Sequence, residues 1–325
     1  MIKLNLKTKL ENYSFCLFRI PETGGRVLWE ITNSCNYSCS YCIFTAENGK
    51  VEGELNTEEV FKVLDGLKSR NFTHIKFTGG EPFIRKDMLN ILGKTSDLGF
   101  IVDVSTNGSL INDNKAKMIK EYGIKMIHVS VDGHNQETHE IARGKNTYQR
   151  TIRGIQHLKN NDNYVRVGTV IFKANENYLE AVIQSAESME VDEIIFSFME
   201  PIGRMEGNDS IISNRPITEV KSELEELSDK YSGKINVNYS FTENTNNDEF
   251  GICPGGNRFL FIDNYGRVSP CTWIVDKNPE FRSKLTVKDV SFDEVMNSDP
   301  IVSYLSCKKI LSYDGLKGCP TKRRC

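Results

Sequence analysis

The sequence predicts an α/β protein built on a parallel sheet, and three observations carry that prediction. Between residues 27 and 199, short apolar runs alternate with amphipathic helical stretches, giving six strands. Such alternation implies parallel strands joined by right-handed crossovers. The ends of the first four strands carry thiols, a glycine pair with a carboxylate, and small polar groups. In parallel α/β folds these carboxyl ends gather into one mouth.

The elements follow in order. VLWEIT (27–32) reads as a strand. Asn56 then caps TEEVFKVLDGLKSR, with Glu59 three residues on in a capping-box pattern. Val60, Val63, Leu64 and Leu67 fall on one face of that helix. HIKFTGG (74–80) is a strand running into glycines, followed by a helix from about Asp87 to Leu98. Strand 100–108, helix 112–123 and strand 125–133 come next, then helix 148–160, strand 165–172, helix 177–189 and strand 193–199. Period alone leaves an open barrel and a doubly wound sheet both standing.

Beyond residue 200 the pattern changes. A charged amphipathic helix (217–233) and a strand, INVNYSF (235–241), precede a polar stretch (242–251) that reads as a linker. From Cys253 to Cys271, FLFID and RVSPC flank the turn signal NYG, which predicts a β-hairpin. The expected organisation is an extension (1–26), a barrel (27–215), a linking helix and strand (216–250) and a small C-terminal domain (251–325).

Composition narrows the function. A chain of 325 residues has room for a large domain plus a small one. A net charge of −3 argues against nucleic acid or an anionic membrane as the main partner. No apolar run reaches about 18 residues, and the start, MIKLNLKTKL, does not read as a signal peptide. The expected location is the cytoplasm, where nine cysteines point to metal binding or catalysis rather than disulfides.

Cys35, Cys39 and Cys42 lie within CNYSCSYC, and the next cysteine is Cys253. Three thiolates on one loop suit an iron–sulfur cluster with one iron left open. The alternatives are zinc, which asks for four ligands and hence a pair from the distant zone, and buried unliganded cysteine. Cys253, Cys271, Cys307, Cys319 and Cys325 form the second zone, while Cys16 reads as a small buried apolar residue.

CNYSCSYC resembles the CX3CXΦC signature of the radical S-adenosylmethionine (SAM) enzymes, with Tyr41 as the aromatic Φ, and TGGEP (78–82) resembles their GGE motif. The resemblance covers roughly residues 27 to 200 and implies a partial (β/α)6 TIM-type barrel. It implies that Cys35, Cys39 and Cys42 hold three irons of a [4Fe–4S] cluster whose open iron is chelated by SAM. Reductive cleavage then gives a 5′-deoxyadenosyl radical that abstracts hydrogen from a substrate. Gly79 and Gly80 permit close backbone approach, Glu81 can accept from the SAM ammonium, and Pro82 stiffens the turn. Ser105 and Asn107 stand where ribose or carboxylate contacts fall. Ser130 and Asp132 are weaker candidates, and Arg143 is placed either at the SAM carboxylate or in solvent.

The hairpin resembles the opening CX9–15GX4C motif of SPASM and twitch auxiliary-cluster domains, with Gly266 between Cys253 and Cys271. A full SPASM domain uses seven thiols, and this zone has five, with Gly315 where one family cysteine would stand. The resemblance therefore implies a small C-terminal iron–sulfur domain with one auxiliary [4Fe–4S] cluster on Cys253, Cys271, Cys319 and either Cys307 or Cys325. Many relatives of this type modify ribosomally made peptides by crosslinking, oxidation or epimerisation, which is the preferred reading. Others act on small molecules such as sugars and aminoglycosides, and a non-enzymatic iron–sulfur sensor is the reading from another class. About 25 residues precede the first barrel strand, too few for a leader-binding domain, so a separate leader-binding protein is expected, together with an electron donor such as a flavodoxin or ferredoxin. In the sulfatase-maturing relatives an Asp base follows the second hairpin cysteine. Here that position is Thr272, and Glu200 is the alternative carboxylate at the mouth.

Overall fold

The computed structural model describes residues 24–199, 201–207, 210–240, 255–256, 258–272, 281–298 and 301–302. Its centre is one sheet of nine strands in the order β7-β6-β5-β4-β3-β2-β1-β8-β9. Strands β1 (Gly25–Thr32), β2 (Phe72–Gly79), β3 (Ile101–Thr106), β4 (Met126–Ser130), β5 (Val165–Ile171) and β6 (Glu193–Phe198) run parallel, each beside its predecessor. Helices α1 (Thr57–Ser69), α2 (Met88–Asp97), α3 (Asp113–Glu121), α4 (Gln136–Arg143), α5 (Tyr148–Asn160) and α6 (Leu179–Ser188) form the crossovers. The sheet does not close, so the architecture is a partial barrel, as the resemblance implied.

Two pairings were not legible in the sequence. After α7 (Ile217–Lys230), β7 (Asn236–Tyr239) pairs parallel with β6 and continues the series as a seventh strand. On the other side, β8 (Phe259–Ile262) pairs parallel with β1, and β9 (Val268–Ser269) returns antiparallel to β8. The expected hairpin is present, with Gly266 at φ +80° in its turn, but it is also the continuation of the sheet. A short helix, α8 (Phe292–Met296), packs on α1, where Gly66 leaves room for Phe292.

Alternation decides which residues face which layer. Val27, Trp29, Ile31, Ile75, Phe77, Val102, Val104, Ile127 and Val129 pack under the helices in one core with Val60, Val63, Leu64 and Leu67. The capping box of α1 forms as its sequence predicts, the Asn56 side chain accepting from the Glu59 N–H and Glu59 accepting in return from the Asn56 N–H. The intervening strand residues, among them Arg26, Glu30, Lys76, Asp103, His128, Arg166 and Glu193, fall on the opposite, inner face. Among the described residues no helix is long and apolar enough to cross a membrane.

Candidate active site

The three thiols of the first zone sit on the loop that leaves β1. Its entry is pinned by Glu54, whose carboxylate accepts from the Thr32 hydroxyl at 3.0 Å and from the Asn33 N–H at 2.7 Å. The Cys35 N–H donates to the Glu47 carbonyl at 2.8 Å, so the loop closes on itself. From a 3-10 turn after β6 (Gly203–Met205), Arg204 Nη1 donates to the Cys39 carbonyl at 2.9 Å and Nη2 to that of Ala46. Cys35 is buried beside Tyr37 and Ala46, with Cys39 and Cys42 packed against the same cluster. Burial pushes the Cys35 thiol up to about 12 and raises that of Cys39.

The GGEP turn is stitched directly onto this loop. The Gly80 N–H donates to the Thr32 carbonyl at 2.7 Å and the Glu81 N–H to that of Ser34 at 2.8 Å. A Cβ on Gly79 would stand 2.2 Å from the Thr32 oxygen, and one on Gly80 would stand 2.1 Å from the Ser34 oxygen. The close approach that these glycines permit is therefore to the cysteine loop itself. Pro82 opens a single 3-10 turn (Pro82–Ile84) and is buried. Glu81 is fully buried, with Oε1 accepting from the Thr106 hydroxyl at 2.7 Å and the Phe83 N–H at 3.1 Å, and Oε2 from the Asn107 N–H at 2.7 Å. Burial raises its pKa, and these three donors oppose the rise.

Beyond β3, Asn107 Nδ2 donates to Asn36 Oδ1 at 2.9 Å and lies 3.9 Å from Cys35 Sγ. Ser105 and Ser130 are half-buried at the ends of β3 and β4. Asp132 and Arg143 form a buried ion pair at 2.6 Å, which removes the solvated alternative for Arg143. The Tyr41 hydroxyl also donates to Asp132, so Tyr41 and Arg143 share one carboxylate oxygen.

Of the second zone, Cys271 and Thr272 lie within the described residues, both half-buried. Cys271 packs beside Leu28, Phe259 and Phe261, and Phe44 from the first cysteine loop stacks on Phe261 with centroids 6.2 Å apart. The first cysteine loop thus meets Cys271 through one aromatic pair. Glu200, Cys16, Cys253, Cys307, Cys319 and Cys325 lie outside the described residues. Sequence reasoning missed Glu54, Arg204 and Asn36. Each acts through a contact distant in the chain, and no local spacing signals it.

The donor set fits a [4Fe–4S] group. Cys35 Sγ accepts from the Tyr37 N–H at 3.4 Å and faces Asn107, while Cys39 Sγ lies 4.0 Å from Arg143 Nη1. Thiolates bound to a cluster take such N–H donors. The raised thiols mean that metal binding must release protons. Among the described residues no three His, Cys, Asp or Glu side chains converge as ligands of one ion. A cubane asks instead for thiols at separate corners.

A thiol-bearing mouth on an unclosed parallel α/β barrel defines an iron–sulfur enzyme class with its chemistry at the strand ends. Residues 29–186, from β1 into α6, match the radical SAM superfamily, and this segment is a radical SAM domain. It is similar to the AdoMet-dependent heme synthase of Oleidesulfovibrio alaskensis, 26% identical over 282 residues covering 76% of this chain and 69% of the relative. It is also similar to the PqqA peptide cyclase of Bradyrhizobium diazoefficiens, 24% identical over 254 residues covering 75% of this chain and 66% of the relative. The fold is that of Streptococcus suis SuiB bound to S-adenosylmethionine, with a TM-score of 0.72 at 14% identity, over 87% of this chain and 67% of that one. A domain of this superfamily implies a [4Fe–4S] cluster and SAM as cofactors.

Proposed function

We propose that this enzyme cleaves SAM reductively to a 5′-deoxyadenosyl radical, which takes a hydrogen atom from a substrate held over the inner face of the sheet. The observation that carries this reading is the convergence of Cys35, Cys39 and Cys42 with Glu81, Asn107 and Arg143 at the carboxyl ends of β1 to β4. When bound, the cluster supplies the single electron that breaks the sulfonium bond. Glu81 accepts three internal hydrogen bonds and is fully buried, so the proposed contact with the SAM ammonium requires the turn above it to open when SAM binds. Tyr41, Gly79, Gly80, Pro82, Ser105 and Ser130 are the remaining proposed SAM neighbours.

Cys271, with Cys253, Cys319 and either Cys307 or Cys325, is the proposed auxiliary-cluster set. The packing of Cys271 beside the Phe44–Phe261 pair supports a second cluster near the same mouth. The test of the main reading is 5′-deoxyadenosine formation by anaerobically reconstituted protein with SAM and dithionite. Formation in wild type and its loss in Cys39→Ser support the enzyme. No saturable SAM binding would leave an iron–sulfur sensor instead.

The proposed substrate is a ribosomally made peptide, a reading supported by the similarity to a PqqA peptide cyclase. A second reading has its own observation. Arg26 pairs with Asp103, Arg166 pairs with Glu193 at 2.8 Å, and Lys76 feels all four charges. These charges lie toward the amino ends of the strands, below the mouth, and the polar character they give the inner face is what supports a small molecule carrying carboxylates or hydroxyls. SAM turnover stimulated by a short peptide encoded beside the gene supports the first reading; stimulation by a sugar or carboxylate metabolite supports the second. The reading places the enzyme in the cytoplasm with a flavodoxin or ferredoxin as donor and, for a peptide substrate, a separate leader-binding protein.

A further inference from the structure

We infer that Asp132 is a positioning residue that aims Arg143 at Cys39, and that the pair raises the reduction potential of the cluster held by the first three cysteines. The inference rests on those cysteines holding that cluster.

Asp132 is fully buried, and its position is fixed from several sides. Its Oδ1 accepts from the Val170 N–H on β5 at 2.9 Å. Its own N–H donates to His139 Nδ1 at 3.2 Å, and its carbonyl accepts from Asn175 Nδ2 at 2.8 Å. A carboxylate held this way cannot follow a moving partner, so the partner must come to it. Oδ2 receives both Arg143 Nε at 2.6 Å and the Tyr41 hydroxyl.

Arg143 is the last residue of α4, where the helix dipole favours a cation. The helix end is tied to the cysteine loop, since the Ser40 N–H donates to the Ala142 carbonyl at 2.8 Å and the Ser40 hydroxyl to the same oxygen at 3.2 Å. The guanidinium is a rigid fork. With Nε committed to Asp132, Nη1 is carried to 4.0 Å from Cys39 Sγ, and the guanidinium carbon lies 5.3 Å from the Tyr41 ring centre. Tyr41 sits between Cys39 and Cys42 in the chain, so the carboxylate, the cation and the loop hold one another.

Reduction adds one negative charge to a cluster. A cation and an N–H donor at a ligand sulfur stabilise the reduced form and raise the potential. The nearby carboxylate opposes this through its charge, but the Cys39 thiol feels Arg143 more strongly than Asp132. Its net contribution is therefore to fix the aim of Arg143.

The experiment is redox titration followed by EPR on reconstituted protein without SAM. The relevant cluster is the one whose spectrum changes when SAM is added. Arg143→Gln should shift its midpoint to more negative potential at unchanged iron content, and Arg143→Lys should recover part of the shift. An unchanged midpoint in Arg143→Gln overturns the inference. So does a shift seen only with SAM present, which would mean that Arg143 acts on the SAM carboxylate alone. If the variants lose the cluster, wild-type protein carrying 15N-arginine decides by pulsed EPR. A nitrogen coupling from arginine in the SAM-free reduced cluster supports the inference, and its absence overturns it. Loss of all iron from wild-type preparations would instead defeat the cluster assignment itself.

Discussion

The carboxylate of Glu81 accepts the backbone N–H of Asn107 at 2.7 Å, with both residues buried. This one bond ties the end of β2 to the end of β3, beneath the loop that carries Cys35. Since Thr106 and Phe83 donate to the same carboxylate, Glu81 also acts as a structural anchor of the mouth.

Glu81→Ala should therefore cost stability as well as any SAM contact. It leaves two buried N–H groups, those of Phe83 and Asn107, and the buried Thr106 hydroxyl without their acceptor, at about 3–6 kcal/mol together. Thermal unfolding should show a clear drop in Tm even in metal-free protein. An unchanged Tm would mean that these donors find other partners.

Gly80→Ala should be severe for a different reason. The new Cβ would stand 2.1 Å from the Ser34 carbonyl oxygen, which is backbone and cannot rotate away. The cysteine loop or the turn must shift, at a cost of about 1–3 kcal/mol or more. Iron content after reconstitution should fall, because Ser34 immediately precedes Cys35. Gly123→Ala meets no atom within 4 Å and serves as a control for added bulk, with strain only from its φ of +65°.

Iron per chain tests the two cysteine zones. With both clusters present, wild type should carry about eight iron atoms. The Cys35/Cys39/Cys42→Ala triple variant should retain about four. Four in wild type falling to near zero in the variant would leave the second zone without a cluster.

Glu30 predicts a pH dependence. It is buried on the inner face, and burial, followed by repulsion from Asp263, raises its carboxyl to about 8. The folded state therefore holds a proton that the unfolded chain releases near its ordinary value of about 4.3. Stability from this group is fully present below that value and is lost as pH rises toward 8. Glu30→Gln should flatten the dependence and make the protein more stable than wild type at pH 8, by roughly 2–4 kcal/mol. Chemical denaturation at pH 5 and pH 8 checks it, and identical slopes in the two proteins would refute the assignment.

Much of the fold was legible because it is written locally. The capping pattern at Asn56 and the apolar face of α1 depend on neighbours within one or two turns, and both appear as read. The spacing of Cys35, Cys39 and Cys42 is local too, and with TGGEP it was enough to point to the radical SAM superfamily. Helix α4 was missed: its sequence, QETHEIAR, is polar and short, with little apolar period to reveal it.

By itself, then, the sequence determined the alternation of strands and helices, the thiol loop and the superfamily. Only the tertiary structure decided that β8 lies beside β1, that Gly79 and Gly80 yield to the cysteine loop, and that Arg143 is buried against Asp132 with its Nη1 toward Cys39. The physical reason is separation along the chain. Period and spacing encode what each segment is, but a carboxylate and a sulfur on different strands meet only when packing of the sheet brings their ends together.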